Sequence, residues 1–280
     1  MDNLNPLVSV FCPTYNHENY IRDCLNGIVM QKTAFQIEVI VQDDASTDKT
    51  LEIIEEYART HLFVNVVTHE ENYFSKGMSI NEYLFQNAKG KYIAICEGDD
   101  YWTDPLKLQK QVDFLETNPE YSCCFHNTYV KKDHELFPWR IYDKEDFSIT
   151  DTFSTVALFH TSSILFRREA FYLPEWFHKV ISADMALFSI VTSNGKLKRI
   201  PEFMSVYRKT DGGITGTDHV IRNYHKNRIE LMTFLNKEFN NKYKKEIETV
   251  ISYHRHQINK ELSLFGKLKN IIRLQSIFLC

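Results

Sequence analysis

Tyr92-Ile93-Ala94-Ile95-Cys96-Glu97-Gly98-Asp99-Asp100-Tyr101-Trp102 is the stretch from which the fold of this 280-residue chain is read. Five mostly apolar residues, Tyr92 to Cys96, match a central strand covered on both faces, and Gly98 then permits a backbone turn that other residues make less readily. Two adjacent carboxylates follow at the carboxyl end of that strand. In a regular strand Asp99 and Asp100 would point to opposite faces. On a turn both can aim into one volume, where like charges raise each other's pKa unless a cation intervenes. Mg²⁺ or Mn²⁺ resolves that conflict, because each takes one or two carboxylates and completes its shell with water and substrate phosphates. A solvated Asp-Asp turn leading into the next helix is the other reading of the dipeptide.

The same strand-turn-helix unit precedes this stretch. Val8-Ser9-Val10-Phe11 predicts a strand, Pro13 to Asn16 a turn, and Tyr20 to Met30 a helix with Ile21, Leu25, Ile28 and Val29 at helical spacing. Ile37 to Val41 predicts a second strand ending at Asp43-Asp44, after which Ser46 or Thr47 caps a helix to about Thr60. Val64 to Thr68 gives a third strand and Met78 to Asn87 a helix. Alternation of this kind implies the α/β class, with a mostly parallel sheet flanked by helices. In such sheets ligands bind beyond the carboxyl ends of the strands. Tyr15, Asp43, Asp44, Asp99 and Asp100 all fall there, and that convergence favours a functional crevice over scattered surface acids.

Beyond the acidic turn, Asp104-Pro105 opens a helix over Leu106 to Thr117, and residues 123–130 predict a strand. Residues 131–155 are charged and aromatic with little period, as expected of an excursion over the substrate side. Ser162 to Phe166 predicts a strand. Asp184 opens a helix over Met185 to Thr192, either as its cap or as an acid of the site. Leu197 to Ile200 and Phe203 to Arg208 predict two short strands, followed by a glycine-bearing loop, Lys209 to Thr215, that reads as a lid or as a plain hairpin loop. From Asp218 a helical tail is expected, broken at Asn240-Asn241 and again at Gly266. His254 and His256, two apart on that tail, face different ways and do not make a metal pair.

Hydrophobic content of 43% and charge of 25% place the chain among soluble globular proteins. No apolar run approaches the ~18 residues of a membrane helix, and the acidic start does not resemble a signal peptide, so a cytosolic location is expected. Six cysteines without CxxC spacing read as reduced core thiols rather than disulfides or zinc ligands. The net charge of −4 is unevenly placed: residues 222–280 hold 12 Lys/Arg against 5 Asp/Glu, a net of +7 against −11 for the rest. An acidic body argues against nucleic-acid binding. The basic, amphipathic end predicts either peripheral contact with an anionic membrane or packing on the domain or on a second subunit as a homodimer contact.

Three segments, VSVFCPTYN (8–16), QDDASTDKT (42–50) and CEGDDYW (96–102), resemble glycosyltransferase family 2 in their order and spacing, and the similarity extends over about residues 7–214. The resemblance implies a GT-A type nucleotide-binding domain over residues 1–215 with a basic C-terminal helical extension over 216–280. It also implies inverting transfer from a nucleotide-sugar donor, a UDP-sugar, to a saccharide or lipid-linked saccharide acceptor, as in bacterial surface polysaccharide assembly. By that resemblance Pro13, Tyr15, Asp44 and Asp99 serve the donor nucleotide. Tyr15 flanks the nucleobase, Asp44 accepts its hydrogen bond, Asp99 holds the ribose or a metal water, and Asp100 holds Mn²⁺ or Mg²⁺. Asp184 falls where the family keeps its general base, with Ala183 in place of the usual acidic neighbour. His160 and Ser162 lie in a stretch resembling the family's sugar pocket. Arg208 opens a segment like its C-terminal loop, in which Lys209 and Thr210 replace a frequent His. A sugar-1-phosphate nucleotidyltransferase would carry a glycine-rich loop after the first strand, and none of the nine glycines falls there. An inactive sugar-binding module would have lost the acids, and a dehydrogenase would show GxGxxG, which is absent.

Overall fold

The structure, a computed structural model, describes residues 5–76, 86–209 and 218–277, except the side chains of 218–222 and 261–277. Its centre is a sheet whose first half is parallel. β1 (Val8–Thr14) pairs with β2 (Ile37–Asp43) on one side and β4 (Tyr92–Ile95) on the other, and β2 pairs with β3 (Val64–Thr68). α1 (Ile21–Val29) and α2 (Thr50–Thr60) make two of the crossovers. Because β1 to β4 run the same way, their carboxyl ends meet at one edge, and the register sets Thr14 beside Asp43 and Phe11 between Ile40 and Ile95. The residues that follow Ile95 therefore emerge next to those that follow Thr14.

The second half is mixed. β5 (Tyr101–Trp102) leaves the acidic turn, α3 (Lys107–Thr117) packs behind it, and β6 (Tyr121–Lys132) turns back at β7 (Glu135–Pro138) as a hairpin. After β8 (Asp146–Phe147) and the short α4 (Ile149–Thr152), β9 (Leu165–Arg167) inserts antiparallel between β4 and β6. α5 (Ala183–Ser193) precedes β10 (Lys196–Arg208), which runs parallel to β6 and antiparallel to β5, giving the order β3-β2-β1-β4-β9-β6-β10-β5. α6 (Asp218–Glu238) and α7 (Lys244–Ile277) end the described chain.

Side chains alternate across the sheet as a period of two requires. Val8, Val10, Cys12, Tyr92, Ala94 and Cys96 enter one apolar layer with α1, α2 and α3, whereas Phe11, Ile93 and Ile95 enter the other with α5. Leu231, Met232 and Leu235 of α6 and Ile247, Val250 and Ile251 of α7 join that second layer, so the first half of the helical tail packs on the domain itself. Cys12, Cys24, Cys96, Cys123 and Cys124 are buried free thiols.

Several local readings change. Pro13 and Thr14 finish β1 instead of forming a turn. Ser46 does not cap α2, which starts at Thr50, because its backbone N–H and hydroxyl are both given to the Asp43 carboxylate. The Asp104 carboxylate accepts the Leu106 N–H, and α3 starts at Lys107, one residue later than expected. Residues 161–163 form a 3₁₀ turn before β9. The two short strands expected after residue 196 are one, irregular in register around Ile200 to Ser205, where Pro201 interrupts the ladder. The helix breaks at Asn240 and Asn241, both with positive φ, but runs through Gly266. The helix expected over Met78 to Asn87 lies mostly outside the described residues, as does the loop beyond Lys209.

One buried cation makes a testable contribution to stability. Lys107 on α3 is fully buried, with its Nζ 2.8 Å from Gln111 Oε1 and 3.9 Å from the centroid of the Trp102 ring, and burial pushes its pKa down to about 7. Between that value and the unfolded one near 10.5 the unfolded chain binds the extra proton, so this residue's contribution to stability rises as pH rises through the window. Wild type is therefore expected to gain about 1.4 kcal/mol per pH unit relative to Lys107→Met between pH 7 and 10. Parallel denaturant titrations of the two proteins check this, and equal pH slopes would show that Lys107 stays charged in the folded state.

Candidate functional site

The crevice is built where β1, β2 and β4 end. Two loops are laced across it: the Asn16 N–H donates to Ser46 Oγ, and Asn16 Oδ1 accepts from the Thr47 N–H. Asn16 and Ala45 both have positive φ, a conformation that costs a non-glycine residue of order 1 kcal/mol and here holds the two loop entrances in place. Gly98 is needed for a different reason from the one its turn position implies. A Cβ there would lie 2.5 Å from Thr14 Oγ1 and 2.8 Å from His17 Nδ1, while the Gly98 N–H donates to the Pro13 carbonyl at 2.9 Å. Close approach of the two strand ends, and no positive φ, demands glycine.

That approach fixes the two aspartates in different surroundings. Asp99 stays partly exposed, its carboxylate 4.0 Å from His17 Nε2. Asp100 is buried; its Oδ1 accepts the Arg208 N–H at 3.0 Å, and its Oδ2 has no hydrogen-bond partner. Oδ2 faces His160 Nδ1 at 3.4 Å. Nδ1 also lies 3.0 Å from Ser162 Oγ and 3.3 Å from the Ser162 nitrogen; in the tautomer that accepts the Ser162 N–H it carries a lone pair, and two acceptors confront each other. The Glu97 carboxylate completes the cluster, with ligand atoms of Glu97, Asp100 and His160 all within 4.8 Å of one another.

The electrostatics of the cluster follow from burial and like charge. Burial, then the charges of Asp99 and Asp184, push Glu97 up to about 8; burial, then Asp99 and Glu97, hold Asp100 well above the usual carboxylate range. Burial pushes His160 down to about 3, so its imidazole is neutral and keeps a lone pair for a ligand. A proton on Asp100 or a divalent cation satisfies the orphaned oxygen. Two carboxylates and one neutral imidazole suit Mn²⁺, which accepts oxygen and nitrogen donors together.

Sequence reasoning singled out Asp100 as the metal residue and placed His160 in the sugar pocket; the structure sets the two side by side and adds Glu97. Glu97 was legible as a third acid of the same turn, whereas nothing in the sequence announces a contact between residues 100 and 160. Asp184 lies at the first turn of α5, close enough for its charge to act on Glu97, and the cap of that helix is Ser182. Asp44 is buried at the end of β2, where its carboxylate accepts the backbone N–H groups of Tyr73 at 2.7 Å and Phe74 at 3.0 Å. A base N–H would be a further bond on oxygens that each already hold one. Tyr15 is 43% exposed at the mouth.

Ser162 and Arg208 are placed as supports. Ser162 is fully buried, donates its hydroxyl to Ser205 Oγ and receives the Trp102 indole N–H on its carbonyl. Arg208 donates to the Asp99 carbonyl, pairs with Asp23 and lies over the Tyr101 ring at 4.2 Å, so its guanidinium is spent on holding the acidic turn. The irregular excursion of residues 131–155 brings Trp139 edge-on to His160 and Tyr207, at 5.4 and 5.5 Å between ring centroids, while His160 stacks on Tyr207 at 4.3 Å. No sequence period pointed to that aromatic wall.

The family model described as glycosyl transferase family 2 matches residues 9–174. An uncharacterized protein of Mycobacterium tuberculosis is 39% identical over 218 residues, covering 74% of this chain and 60% of the relative. A putative teichuronic acid biosynthesis glycosyltransferase of Bacillus subtilis, TuaG, is 37% identical over 128 residues, 46% of this chain and 48% of its own. The chain thus spans 60% and 48% of the length of these relatives. Among solved structures, residues 1–349 of Staphylococcus aureus TarS in complex with UDP-GlcNAc align with a TM-score of 0.64 at 21% identity, covering 82% of this chain and 66% of TarS 1–349. A mannosyltransferase from Pyrobaculum calidifontis in complex with GDP-Man and Mn²⁺ aligns with a TM-score of 0.57 at 18% identity, over 93% of this chain and 76% of its own. At such identities the two structures support the fold alone.

Proposed function

The chain belongs to glycosyltransferase family 2, and on that premise we propose that it transfers a sugar, with inversion, from a UDP-sugar to an acceptor hydroxyl in a divalent-cation-dependent reaction. The observation that carries the reading is the buried, unpartnered Oδ2 of Asp100 beside Glu97 and His160, at the carboxyl edge of a nucleotide-binding sheet. Mn²⁺ or Mg²⁺ held by Asp100, with Glu97 and His160, would neutralise the charge that develops on the nucleoside diphosphate leaving group. Tyr15 offers an exposed ring for the base at the mouth, Asp44 an acceptor for its N–H, and Asp99 a carboxylate for the ribose. Pro13 sets the floor by receiving the Gly98 N–H.

Asp184 takes the acceptor's hydroxyl proton while that oxygen attacks the anomeric carbon and the bond to the diphosphate breaks. Trp139 and Tyr207 wall the pocket on the side of His160, excluding water from the sugar. UDP-GlcNAc in the TarS complex and Mn²⁺ in the archaeal one support this choice of donor and ion. TuaG and TarS, named for teichuronic acid and poly(ribitol-phosphate) chemistry, support an acceptor in surface-polymer assembly. No helix among the described residues is long and apolar enough to cross a membrane. We assign the basic end of α7 to peripheral contact with a membrane or a second subunit.

Thermal shift tests the donor class. In Mn²⁺, a UDP-sugar at about 100 times its dissociation constant should add ~2.7 kcal/mol of stability, a shift of several degrees. The matching GDP-sugar should add little. A protein that no UDP-sugar stabilises, with Mn²⁺ present, does not have this function.

A further inference from the structure

His17 stands in the crevice, and the transfer scheme above leaves it without a role. It follows β1, the strand between β2 and β4, and faces the acidic turn. Its backbone is fixed at three points: its N–H donates to Thr50 Oγ1 at 2.7 Å, and its carbonyl accepts the Tyr20 and Ile21 N–H groups, each at 2.8 Å. Its ring is fixed as well, with Nδ1 3.1 Å from Thr14 Oγ1 and packed against Gly98, where a Cβ would come within 2.8 Å of that nitrogen. Across the ring, Nε2 stands 4.0 Å from Asp99 Oδ2. Both side chains reach solvent, at 23% and 19% exposure, and among the described residues neither Nε2 nor the Asp99 carboxylate has a hydrogen-bond partner.

Hydrogen-bond partners decide which ring nitrogen carries the proton. Among the described residues Nδ1 is the only partner of the buried Thr14 hydroxyl, so that hydroxyl donates to Nδ1 and the ring proton sits on Nε2, facing the carboxylate. Burial, outweighing the pull of Asp99, holds His17 below the usual histidine range, so this neutral tautomer is the form present at neutral pH. The gap then offers one donor and one acceptor 4.0 Å apart, too far to bond each other. One hydroxyl oxygen about 2.8 Å from each spans the gap at an angle of about 90°, accepting from Nε2 and donating to Asp99. A phosphate oxygen does not fit, because it brings no proton for the carboxylate and repels its charge.

We propose that His17 is a donor-binding residue, whose Nε2–H and the Asp99 carboxylate together hold one hydroxyl of the donor's ribose, so that the site selects ribonucleotides over deoxyribonucleotides. This rests on the nucleotide-donor reading above. Strand order supports the placement: base, ribose and diphosphate follow one another along the donor, as Asp44 after β2, His17 after β1 and Asp100 after β4 do across the sheet. The ring is held in place before the donor arrives, so binding costs it little conformational freedom and the bond appears in the affinity.

The experiment titrates UDP, 2′-deoxy-UDP and 3′-deoxy-UDP into the full chain in Mn²⁺, by calorimetry, for wild type, His17→Ala and His17→Phe. Wild type should prefer UDP over one of the two deoxy analogues by roughly tenfold or more, because that analogue loses the bonds to both His17 and Asp99. Each His17 variant should shrink this preference by about fivefold, through weaker UDP binding at unchanged affinity for the analogue, since the bond to Asp99 remains. Phe keeps the ring's packing on Gly98 and decides the matter should Ala disturb the loop. An equal loss for all three ligands in both variants would make His17 a support for the loop and overturn the proposal. Wild-type affinities for both analogues equal to that for UDP would overturn it too. Absence of any UDP binding to wild type in Mn²⁺ would instead sink the donor reading, and the proposal with it.

Discussion

Asp184→Asn should leave folding and UDP affinity intact while slowing sugar transfer by about 10²-fold to 10⁴-fold, the usual worth of a general base. That range corresponds to roughly 2.7 to 5.5 kcal/mol of transition-state stabilisation. Asn keeps the shape of Asp and serves equally well in the first turn of a helix, so a merely structural role would show almost no change. The expectation stands on position: Asp184 opens α5, and its charge is felt at Glu97. Single-turnover transfer, measured with the donor found by thermal shift, checks it. Near-normal transfer would reject Asp184 as the base. Asp43 would be a poor substitute, because both its oxygens receive bonds from Ser46 and it is buried.

The second large effect concerns Asp100, and it has two signs. In Asp100→Asn the side-chain carbonyl can still accept the Arg208 N–H, and the new amide can donate to His160 Nδ1, the lone pair that Oδ2 now confronts. The buried acid that Glu97 and Asp99 destabilise is gone. The apo variant should therefore melt no lower than wild type, and by this argument higher. Its Mn²⁺ affinity in the presence of UDP should fall at least 100-fold, since a neutral amide replaces a carboxylate ligand. His160→Gln should lower that affinity less, by about tenfold, as one neutral donor of three is changed. Metal titrations followed by calorimetry, beside thermal melts of each apo protein, give both readings. A variant that loses stability and keeps its metal affinity would make Asp100 a structural residue. A site that is less stable than its neutral replacement is the usual mark of a functional carboxylate cluster.

The parallel half of the sheet was legible because its signals are local. Tyr92 to Ile95 alternates between two buried layers, glycine and acids punctuate its end, and β1 and β2 alternate in the same way. Parallel strands then put Thr14, Asp43 and the acidic turn at one edge without further information. What stayed hidden depends on strand order in the mixed half. β9 inserts antiparallel between β4 and β6, and only that insertion carries His160 to Asp100. Periodicity says nothing about which strands are neighbours. Gly98 was correctly marked as special but for the wrong physical reason, since the close approach of Thr14 and His17 is a tertiary fact. Ser46 looked like a cap, but its hydroxyl was claimed by the Asp43 carboxylate three residues earlier. Gly266 looked like a break, yet one glycine costs a helix only about 1 kcal/mol and α7 continues through it. Arg208 was legible only as part of a segment like the family's C-terminal loop, and its contacts with Asp23 and the Asp99 carbonyl, which brace the acidic turn, depend on tertiary structure.

The Asp100 cluster should bind a nucleoside diphosphate through a divalent cation. Calorimetric titration of UDP into the wild-type chain, once with Mn²⁺ and once with EDTA, tests it most directly. Binding in Mn²⁺ and a loss of at least 100-fold in EDTA are expected. UDP binding of equal strength in the two buffers would contradict it.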